Sequence, residues 1–136
     1  MTECLFCKIA AKEIPAKIIR EDSRTVVFLD ASPISPGHTL IIPKTHVSAI
    51  VDLSDEDLTA VFRTASEITA RLTKALEPAG FTIGINQGRI SGQSIDHFHL
   101  HIIPRFEGDR GGSIHSVVHN PPGISLDEIL EKIVKA

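Results

Sequence analysis

One alternating segment, residues 95–104 (IDHFHLHIIP), constrains the fold more than any other part of the chain. Its histidines alternate with apolar residues in the order His97, Phe98, His99, Leu100, His101 and Ile102. A period of two is that of a β-strand, whose successive side chains point to opposite faces. The pattern therefore predicts a strand with three imidazoles on one face, about 6.6 Å apart, and an apolar row facing a core.

The other elements predict an α+β fold. Apolar residues at helical spacing follow the N-cap Ser54 and three acids in the first turn, and Pro78 and Gly80 end this long helix. We also expect a short helix over 5–12, strands over 16–22, 25–30, 38–43 and 81–86, and a C-terminal helix that begins with a capping box, Ser125 to Glu128. Strands joined by hairpins and covered by a helix make one α+β domain, with 81–86 and 95–104 as antiparallel neighbours.

Composition and charge argue against several classes of protein. The 136 residues suffice for one domain with its own core. A net charge of −3, with acids and bases well mixed, argues against a general nucleic-acid binder. The start of the chain carries Glu3 and no apolar run typical of a signal peptide, and no stretch approaches the length of a membrane span. We therefore expect a cytoplasmic protein that binds neither nucleic acid nor membrane.

Three interpretations of the histidine row stay open on the residues alone. It could be the polar face of a half-buried strand, although such faces normally carry Thr, Lys, Glu and Ser. It could chelate one catalytic zinc ion. It could also supply a nucleophile and proton donors for a reaction at phosphorus, because neutral imidazole is a good nucleophile near neutral pH. The preceding loop, residues 86–94 (NQGRISGQS), favours the third interpretation, since glycines let backbone N–H groups approach an anion.

The cysteines form a single CxxC pair, Cys4 and Cys7. In a chain without a secretion signal, such a pair is more often metal-binding or redox-active than a structural disulfide. A thioredoxin-like role would need a βαβ pattern, which the sequence lacks. Two thiolates at this spacing suit a tetrahedral zinc ion, which needs two further ligands.

The segment HFHLHII resembles the His-φ-His-φ-His-φ-φ motif of the histidine triad (HIT) family of nucleotide hydrolases and transferases. The likeness covers roughly residues 4–106: residues 5–46 are similar to the Hint branch, and GINQG and GQS resemble its phosphate loop. HIIPRFEGD resembles the Fhit-like branch instead. The third motif position is histidine rather than glutamine, which implies a hydrolase rather than a uridylyltransferase. Residues 107–136 would form a C-terminal arm and a short helix.

The resemblance implies a fold, an assembly and an activity. It implies a homodimer in which two five-stranded antiparallel sheets join edge to edge into ten strands. It implies hydrolysis of a purine nucleoside 5′-phosphoramidate or related AMP-linked substrate at the α-phosphate, through a nucleotidyl-histidine, with release of a nucleoside monophosphate. The alternatives are a diadenosine polyphosphate (Ap4A or Ap3A) hydrolase of the Fhit-like type and a non-catalytic nucleotide-binding adaptor.

The resemblance also assigns catalytic and substrate-binding residues. His99 would be the nucleophile, His101 would contact the phosphate and assist the leaving group, and His38 would orient the triad. Asp30 would accept hydrogen bonds from the ribose. The phosphate would be held by Asn86, Gly92, Gln93 and Ser94, and the base would be enclosed by Leu5, Phe6, Ile9 and Phe28, with Ala31 nearby.

For the metal, the resemblance implies a structural zinc ion and no catalytic metal or organic cofactor. Its ligands would be Cys4, Cys7, His46 and His97. Such a closed site would fasten the N-terminal segment to the sheet. The remaining histidines, His115 and His119, are expected to be ordinary loop residues of the arm, although in this family the C-terminal segment can reach the partner's active site.

Overall fold

The computed structural model describes residues 3–136, so the first two residues of the predicted domain lie outside the described chain. In chain order its elements are α1 (Leu5–Ala10), β1 (Ile18–Glu21), β2 (Thr25–Leu29), β3 (Thr39–Pro43), α2 (Asp55–Leu76), β4 (Gly80–Gly84), β5 (Leu100–Arg105) and α3 (Leu126–Lys135). The strands form one antiparallel sheet in the order β1-β2-β3-β5-β4. The predicted fold class is confirmed, as is the antiparallel pairing of β4 with β5.

The sheet has a separate apolar core on each face. The long helix α2 covers one face, where its Val61, Ile68 and Leu72 belong to the same cluster as Phe98, Leu100 and Ile102. The short helix α1 covers the other, where Phe6 and Ile9 pack with Val26, Phe28, Leu40 and Ile42. The apolar row of the histidine segment thus lies under α2, as its period of two predicts. The histidine side chains lie on the opposite face, which α1 covers.

The predicted start of the histidine strand at residue 95 is wrong, because β5 begins only at Leu100. The pairing of Leu100 with Ile41 places Phe98 opposite Pro43 when the register is continued. Proline has no N–H to donate, so the ladder ends there. The Phe98 N–H donates instead to the carbonyl of Val47, at 2.6 Å. The first two histidines of the row therefore lie on an irregular segment that leads into the strand.

Local sequence signals fix the ends of α2. The Ser54 side chain caps its start by accepting a hydrogen bond from the N–H of Asp57, at 3.1 Å. Its last residue is followed by Glu77 in the left-handed region, with φ +50°, and then by Pro78. A residue that precedes proline is pushed out of the helical region, so the helix stops there as predicted. Gly80 is instead the first residue of β4.

The chain beyond β5 forms an arm that makes little contact with the sheet. Arg105 fixes its start, since its guanidinium donates to both carboxylate oxygens of Asp109 at 2.6 and 3.0 Å and to the carbonyl of Gly112 at 2.6 Å. The helix α3 begins at the predicted cap, with the N–H of Glu128 donating to the Ser125 hydroxyl at 3.1 Å. None of its residues is buried. Within residues 3–136, no helix is both long and apolar enough to cross a membrane.

Candidate active site and metal cluster

His99 is buried, and one of its two ring nitrogens is committed to the backbone. Its Nδ1 lies 2.7 Å from the carbonyl oxygen of His97, which can only accept, so Nδ1 carries the proton. Nε2 therefore carries the lone pair. The side chain is only 6% exposed, and its ring lies 5.0 Å from that of His101. The imidazole is held in the tautomer that a nucleophile at Nε2 requires.

A chain of hydrogen bonds sets the tautomers of the next two histidines. The N–H of Ile34 donates to Nδ1 of His38 at 3.3 Å, so His38 carries its proton on Nε2. That Nε2 lies 2.9 Å from Nδ1 of His101 and donates to it. The proton of His101 is therefore on its own Nε2. This buried Nε2 has no hydrogen-bond partner within the described residues, so it is a donor that an acceptor on a ligand would satisfy.

Burial keeps both members of this chain neutral near neutral pH. It lowers the pKa of His101 to about 4, with a smaller contribution from the nearby His99 and His38. It also lowers the pKa of His38, although the carboxylate of Asp30 opposes the shift. The free protein therefore presents a neutral N–H donor, Nε2 of His101, next to the ring of His99.

Asp30 is adjacent to this chain and half-buried. One of its oxygens lies 3.5 Å from Nε2 of His38, and the other accepts the N–H of Ser32 at 2.8 Å. Asp30 and His38 also line a cavity of about 430 Å³ formed with Leu29 and residues 33–37. The carboxylate gives this mostly apolar cavity an acceptor end, close to the imidazoles.

The loop predicted to hold phosphate is tied to the segment after β3. The side chain of Gln93 is buried; it accepts the N–H of Gly88 at 2.8 Å and donates to the carbonyl of Ser48 at 3.0 Å. Gln87 accepts the N–H of Ile50 at 2.8 Å. Both ends of the Gln93 amide are thus engaged within the protein. The Gln93 side chain therefore ties the loop to the segment after β3, and its contact with a phosphate stays a prediction.

The other predicted phosphate ligands lie on the exposed part of this loop. Asn86 and Ser94 are exposed. Gly92 has φ +102°, and a Cβ built on it would lie 3.5 Å from Nδ2 of Asn86. The positive φ suits glycine, and the close approach places the Asn86 amide against the Gly92 backbone. These residues are the ones the structure leaves available to a ligand.

Most of the residues predicted to enclose the base belong to the core. Phe6, Ile9 and Phe28 are 5%, 6% and 3% exposed and pack in the α1 core. Leu5 is 44% exposed, and Ala31 is also exposed. Of these five predicted residues, only Leu5 and Ala31 are exposed to a ligand.

A second group of side chains has the arrangement of a metal site. The ligand atoms of Cys4, Cys7, His46 and His97 all lie within 4.8 Å of one another. The Nδ1 atoms of His46 and His97 are 3.2 Å apart. The Sγ of Cys7 lies 3.3 Å from Nδ1 of His46, and both Sγ atoms lie 3.5 Å from Nδ1 of His97. Zn–N and Zn–S bonds at tetrahedral angles separate such atoms by about 3.3–3.6 Å. The four donors fit a tetrahedral ion such as zinc.

The tautomer of His97 agrees with this fit. Its Nε2 lies 2.8 Å from the carbonyl oxygen of Pro43, so Nε2 carries the proton and Nδ1 presents its lone pair to the cysteines. A ring N–H that donates to a carbonyl is the usual support of a metal-binding histidine. Burial lowers the pKa of His97, which favours the neutral form that a metal requires.

Other groupings fit a metal less well. Asp30, His38 and His101 also bring ligand atoms together, but His38 Nε2 carries a proton for as long as its Nδ1 accepts from Ile34. The three triad histidines do not form a ligand group within the described chain. The nitrogens that carry lone pairs do not converge on one point. Nδ1 of His97 faces Cys4 and Cys7, whereas Nε2 of His99 belongs to no such group among the described residues. The structure thus does not support a catalytic metal held by the triad.

Sequence reasoning missed the backbone and side-chain groups that orient this site. The carbonyls of Pro43 and His97 and the N–H of Ile34 fix the ring nitrogens, and Ser48 and Gln87 anchor the loop. Backbone groups have no sequence signal. The predicted loop histidines His115 and His119 lie on the exposed arm.

Fold and site together define an α+β protein with a row of histidines of fixed tautomer. Known proteins share this fold. The HIT domain family model matches residues 11–108. An uncharacterized HIT-like protein of Methanocaldococcus jannaschii is 40% identical over 130 residues, which cover 96% of this chain and 98% of the relative. The adenosine 5′-monophosphoramidase of Schizosaccharomyces pombe is 39% identical over 102 residues, 75% of this chain and 74% of the relative. The chain belongs to the HIT family, so the resemblance is confirmed.

Solved structures agree with the fold, and one of them contains zinc. A protein of Streptococcus mutans superimposes with a TM-score of 0.88 at 37% identity, covering 99% of this chain and 85% of the other. A zinc-bound histidine triad family protein of Mycobacterium smegmatis superimposes with a TM-score of 0.74 at 28% identity, covering 98% and 96%.

Proposed function

We propose that this HIT protein hydrolyses purine nucleoside 5′-phosphoramidates at the α-phosphorus and releases a nucleoside monophosphate. The orientation of His99 is the observation that carries the proposal, because its Nδ1–H is bound to the His97 carbonyl and its Nε2 lone pair is available. The name of the fission-yeast relative, an adenosine 5′-monophosphoramidase, supports the choice of a phosphoramidate. The resemblance supports a purine base.

The reaction would proceed in two displacements at phosphorus. With the anionic substrate beside Nε2 of His101, the His38–His101 pair takes up one proton from solvent, which offsets the low pKa of about 4 of His101 in the free protein. His101 is then an imidazolium whose Nδ1–H donates to Nε2 of His38, and the proton of His38 lies on its Nδ1. His99 Nε2 bonds to phosphorus while the P–N bond of the substrate breaks, and the leaving amine takes a proton from Nε2 of His101. Water then adds to phosphorus, the P–Nε2 bond breaks, and one water proton returns to His101.

The remaining groups would bind and orient the substrate. Asp30 accepts the vicinal ribose hydroxyls at the cavity that it shares with His38, and the backbone around Gly92, with Asn86 and Ser94, binds the phosphate oxygens. His38 holds the tautomer of His101. Loss of His38 would then lower turnover without removing the nucleophile.

A structural zinc ion belongs to this proposal. Cys4, Cys7, His46 and His97 would hold it, and its chemistry there is to tie α1 to the segment that carries His99. Because four protein ligands complete a tetrahedral site, the ion would have no position for substrate. The support is the set of donor distances and the zinc-bound relative from M. smegmatis.

We further propose that the chain is a cytoplasmic homodimer and that residues 1–136 make one HIT domain with an arm. The sheet ends at β4, whose Ile83 is 44% exposed, and α3 exposes Leu126, Leu130, Ile133 and Val134. An apolar helix face without cover and an open sheet edge are both stabilised by a second copy. The match to the S. mutans structure over 99% of this chain, which includes the arm, supports a single domain with an arm.

The test is nucleoside monophosphate release from adenosine 5′-phosphoramidate and diadenosine tetraphosphate, assayed side by side. Wild type and His99→Ala are compared, with and without a chelator, and Arg71→Ala on the exposed face of α2 is the control. We expect chelator-resistant release that His99→Ala abolishes, faster on the phosphoramidate. Nucleotide affinity without release would indicate a binding protein, and faster cleavage of the dinucleotide would indicate a polyphosphate hydrolase. Release that a chelator abolishes while the zinc of the Cys/His cluster stays bound would indicate a catalytic metal.

A further inference from the structure

Phe6 occupies a position that the predicted role in base binding does not explain. It lies on α1 between the two cysteines and is only 5% exposed. Its ring makes edge-to-face contacts with three others, at centroid distances of 5.0 Å to His99, 5.5 Å to Phe28 and 6.0 Å to His97. The shortest contact is the one with the proposed nucleophile.

A hydrogen bond and contacts with two other rings orient the His99 imidazole. One hydrogen bond, from Nδ1–H to the His97 carbonyl, fixes which nitrogen carries the proton. Ring contacts are made by Phe6 and by His101, both with centroids 5.0 Å away. With this hydrogen bond alone, the imidazole could still rotate about the line from Nδ1 to the carbonyl oxygen. An aromatic ring packed against the imidazole prevents that rotation sterically.

Both restraints originate in the Cys/His cluster. His97 belongs to the cluster through Nδ1 and orients His99 through its carbonyl oxygen. Phe6 is covalently adjacent to Cys7, whose Sγ lies 3.5 Å from Nδ1 of His97. The helix α1, which Cys4 caps and which contains Cys7, is only six residues long, so the cluster and the α1 core determine where Phe6 lies.

We propose that Phe6 is a positioning residue for His99 and that it transmits the order of the Cys/His cluster to the nucleophile. It acts by packing against the His99 imidazole, which keeps Nδ1–H on the carbonyl and Nε2 directed to the substrate. The inference rests on the proposed role of His99 as nucleophile. A base-binding role alone would require Phe6 to contact the substrate, and it would leave the orientation of His99 independent of Phe6.

The test compares Phe6→Leu with Ile42→Val in the whole protein as purified, with its metal. Leucine keeps an apolar side chain but has no ring edge, and Ile42 is buried in the same core without belonging to the predicted site. Urea unfolding shows that each variant is folded under assay conditions. Phe6→Met, whose longer and more flexible side chain can fill the space left by the ring, replaces Phe6→Leu if leucine unfolds the protein.

Two readouts decide the proposal. Nitrogen-15 NMR of the imidazoles, without substrate, should show His99 as a single Nδ1–H tautomer in wild type and Ile42→Val and as a mixture in Phe6→Leu. With adenosine 5′-phosphoramidate, Phe6→Leu should lower kcat by about tenfold to a hundredfold with little change in KM, the loss expected of a misplaced nucleophile. The His99 signals are assigned by their absence in His99→Ala.

The opposite results would overturn it. A rise in KM at unchanged kcat would make Phe6 a wall of the base site. An unchanged His99 tautomer in Phe6→Leu would refute positioning whatever happens to kcat. If wild type turns over neither phosphoramidate nor dinucleotide, the proposed function fails, but the NMR comparison still decides whether Phe6 orients His99.

Discussion

The buried His101 should make the protein lose stability in acid, by an amount that its surroundings determine. Its pKa is lowered from 6.5 to about 4 by burial and by its neighbours His99 and His38. In the unfolded chain the imidazole binds a proton below pH 6.5, whereas in the folded protein it stays neutral until the pH approaches 4. The unfolded state therefore binds more protons in this window, so the free energy of unfolding must fall as the pH falls.

The size of the effect follows from the shift. Each pKa unit corresponds to about 1.4 kcal/mol, so the difference between 6.5 and about 4 is worth about 3 kcal/mol. Loss of stability begins near pH 6.5, proceeds at up to about 1.4 kcal/mol per pH unit, and levels off below pH 4. That is a large share of the stability of a domain of this size, which is about 5–15 kcal/mol.

The assay is urea unfolding followed by circular dichroism, with wild type and His101→Gln measured at several pH values from about 7.5 down to about 4.5. Glutamine keeps a polar group near the position of Nε2 but does not titrate. The cysteine and histidine ligands of the metal cluster also titrate in acid, but they are present in both proteins and cancel in the difference. Wild type should lose about 2–3 kcal/mol more than His101→Gln over this range. Parallel curves for the two proteins would refute the argument that burial holds His101 neutral.

Three further outcomes are expected. Purified protein should contain about one zinc per chain by elemental analysis. Cys7→Ser should lose this zinc, since three ligands do not complete a tetrahedral site. A zinc content in Cys7→Ser equal to that of wild type would contradict the ligand set. Asp30→Ala should raise KM for adenosine 5′-phosphoramidate about tenfold or more and affect the 2′-deoxy analogue less, because a hydrogen bond to a charged group is worth about 1.5–3 kcal/mol; equal losses would remove Asp30 from the ribose. Gly37→Ala should lower the free energy of unfolding by about 2 kcal/mol or more, because Gly37 has φ +85° and an added Cβ would overlap Cδ1 of Leu76. An unchanged urea midpoint would show that the loop around Gly37 shifts to accommodate the Cβ.

The parts of the fold that could be predicted from sequence are those with local causes. Ser54 and Ser125 cap helices because their hydroxyls reach N–H groups three residues on. The start of β5 has a non-local cause, since it depends on Pro43, which the register of β3 brings opposite Phe98. The faces of the histidine segment were nevertheless predicted correctly, because the backbone alternates through the irregular part as well as through the strand.

The site shows the same division between local and distant causes. Amides are suitable donors to a phosphate, which made Gln93 a reasonable candidate, but its amide is engaged with Ser48, far away in the chain, and with Gly88. Only the folded structure shows which donors the protein itself uses. Phe6 and Phe28 were predicted from family resemblance as base contacts, and their burial in the α1 core is likewise a tertiary fact.

The three triad histidines are chemically identical in the sequence, and the structure distinguishes them by which nitrogen is engaged. Nε2 of His97 donates to the Pro43 carbonyl, which leaves Nδ1 for a metal. Nδ1 of His99 donates to the carbonyl of His97, two residues earlier, which leaves the Nε2 lone pair for its proposed role as nucleophile. Nδ1 of His101 accepts from another imidazole, which leaves Nε2–H as a donor. Because each role depends on an acceptor or donor supplied by the neighbouring backbone or ring, a segment of alternating histidines can hold a metal ligand, a nucleophile and an acid side by side, provided that its backbone and the ring packing around it stay fixed.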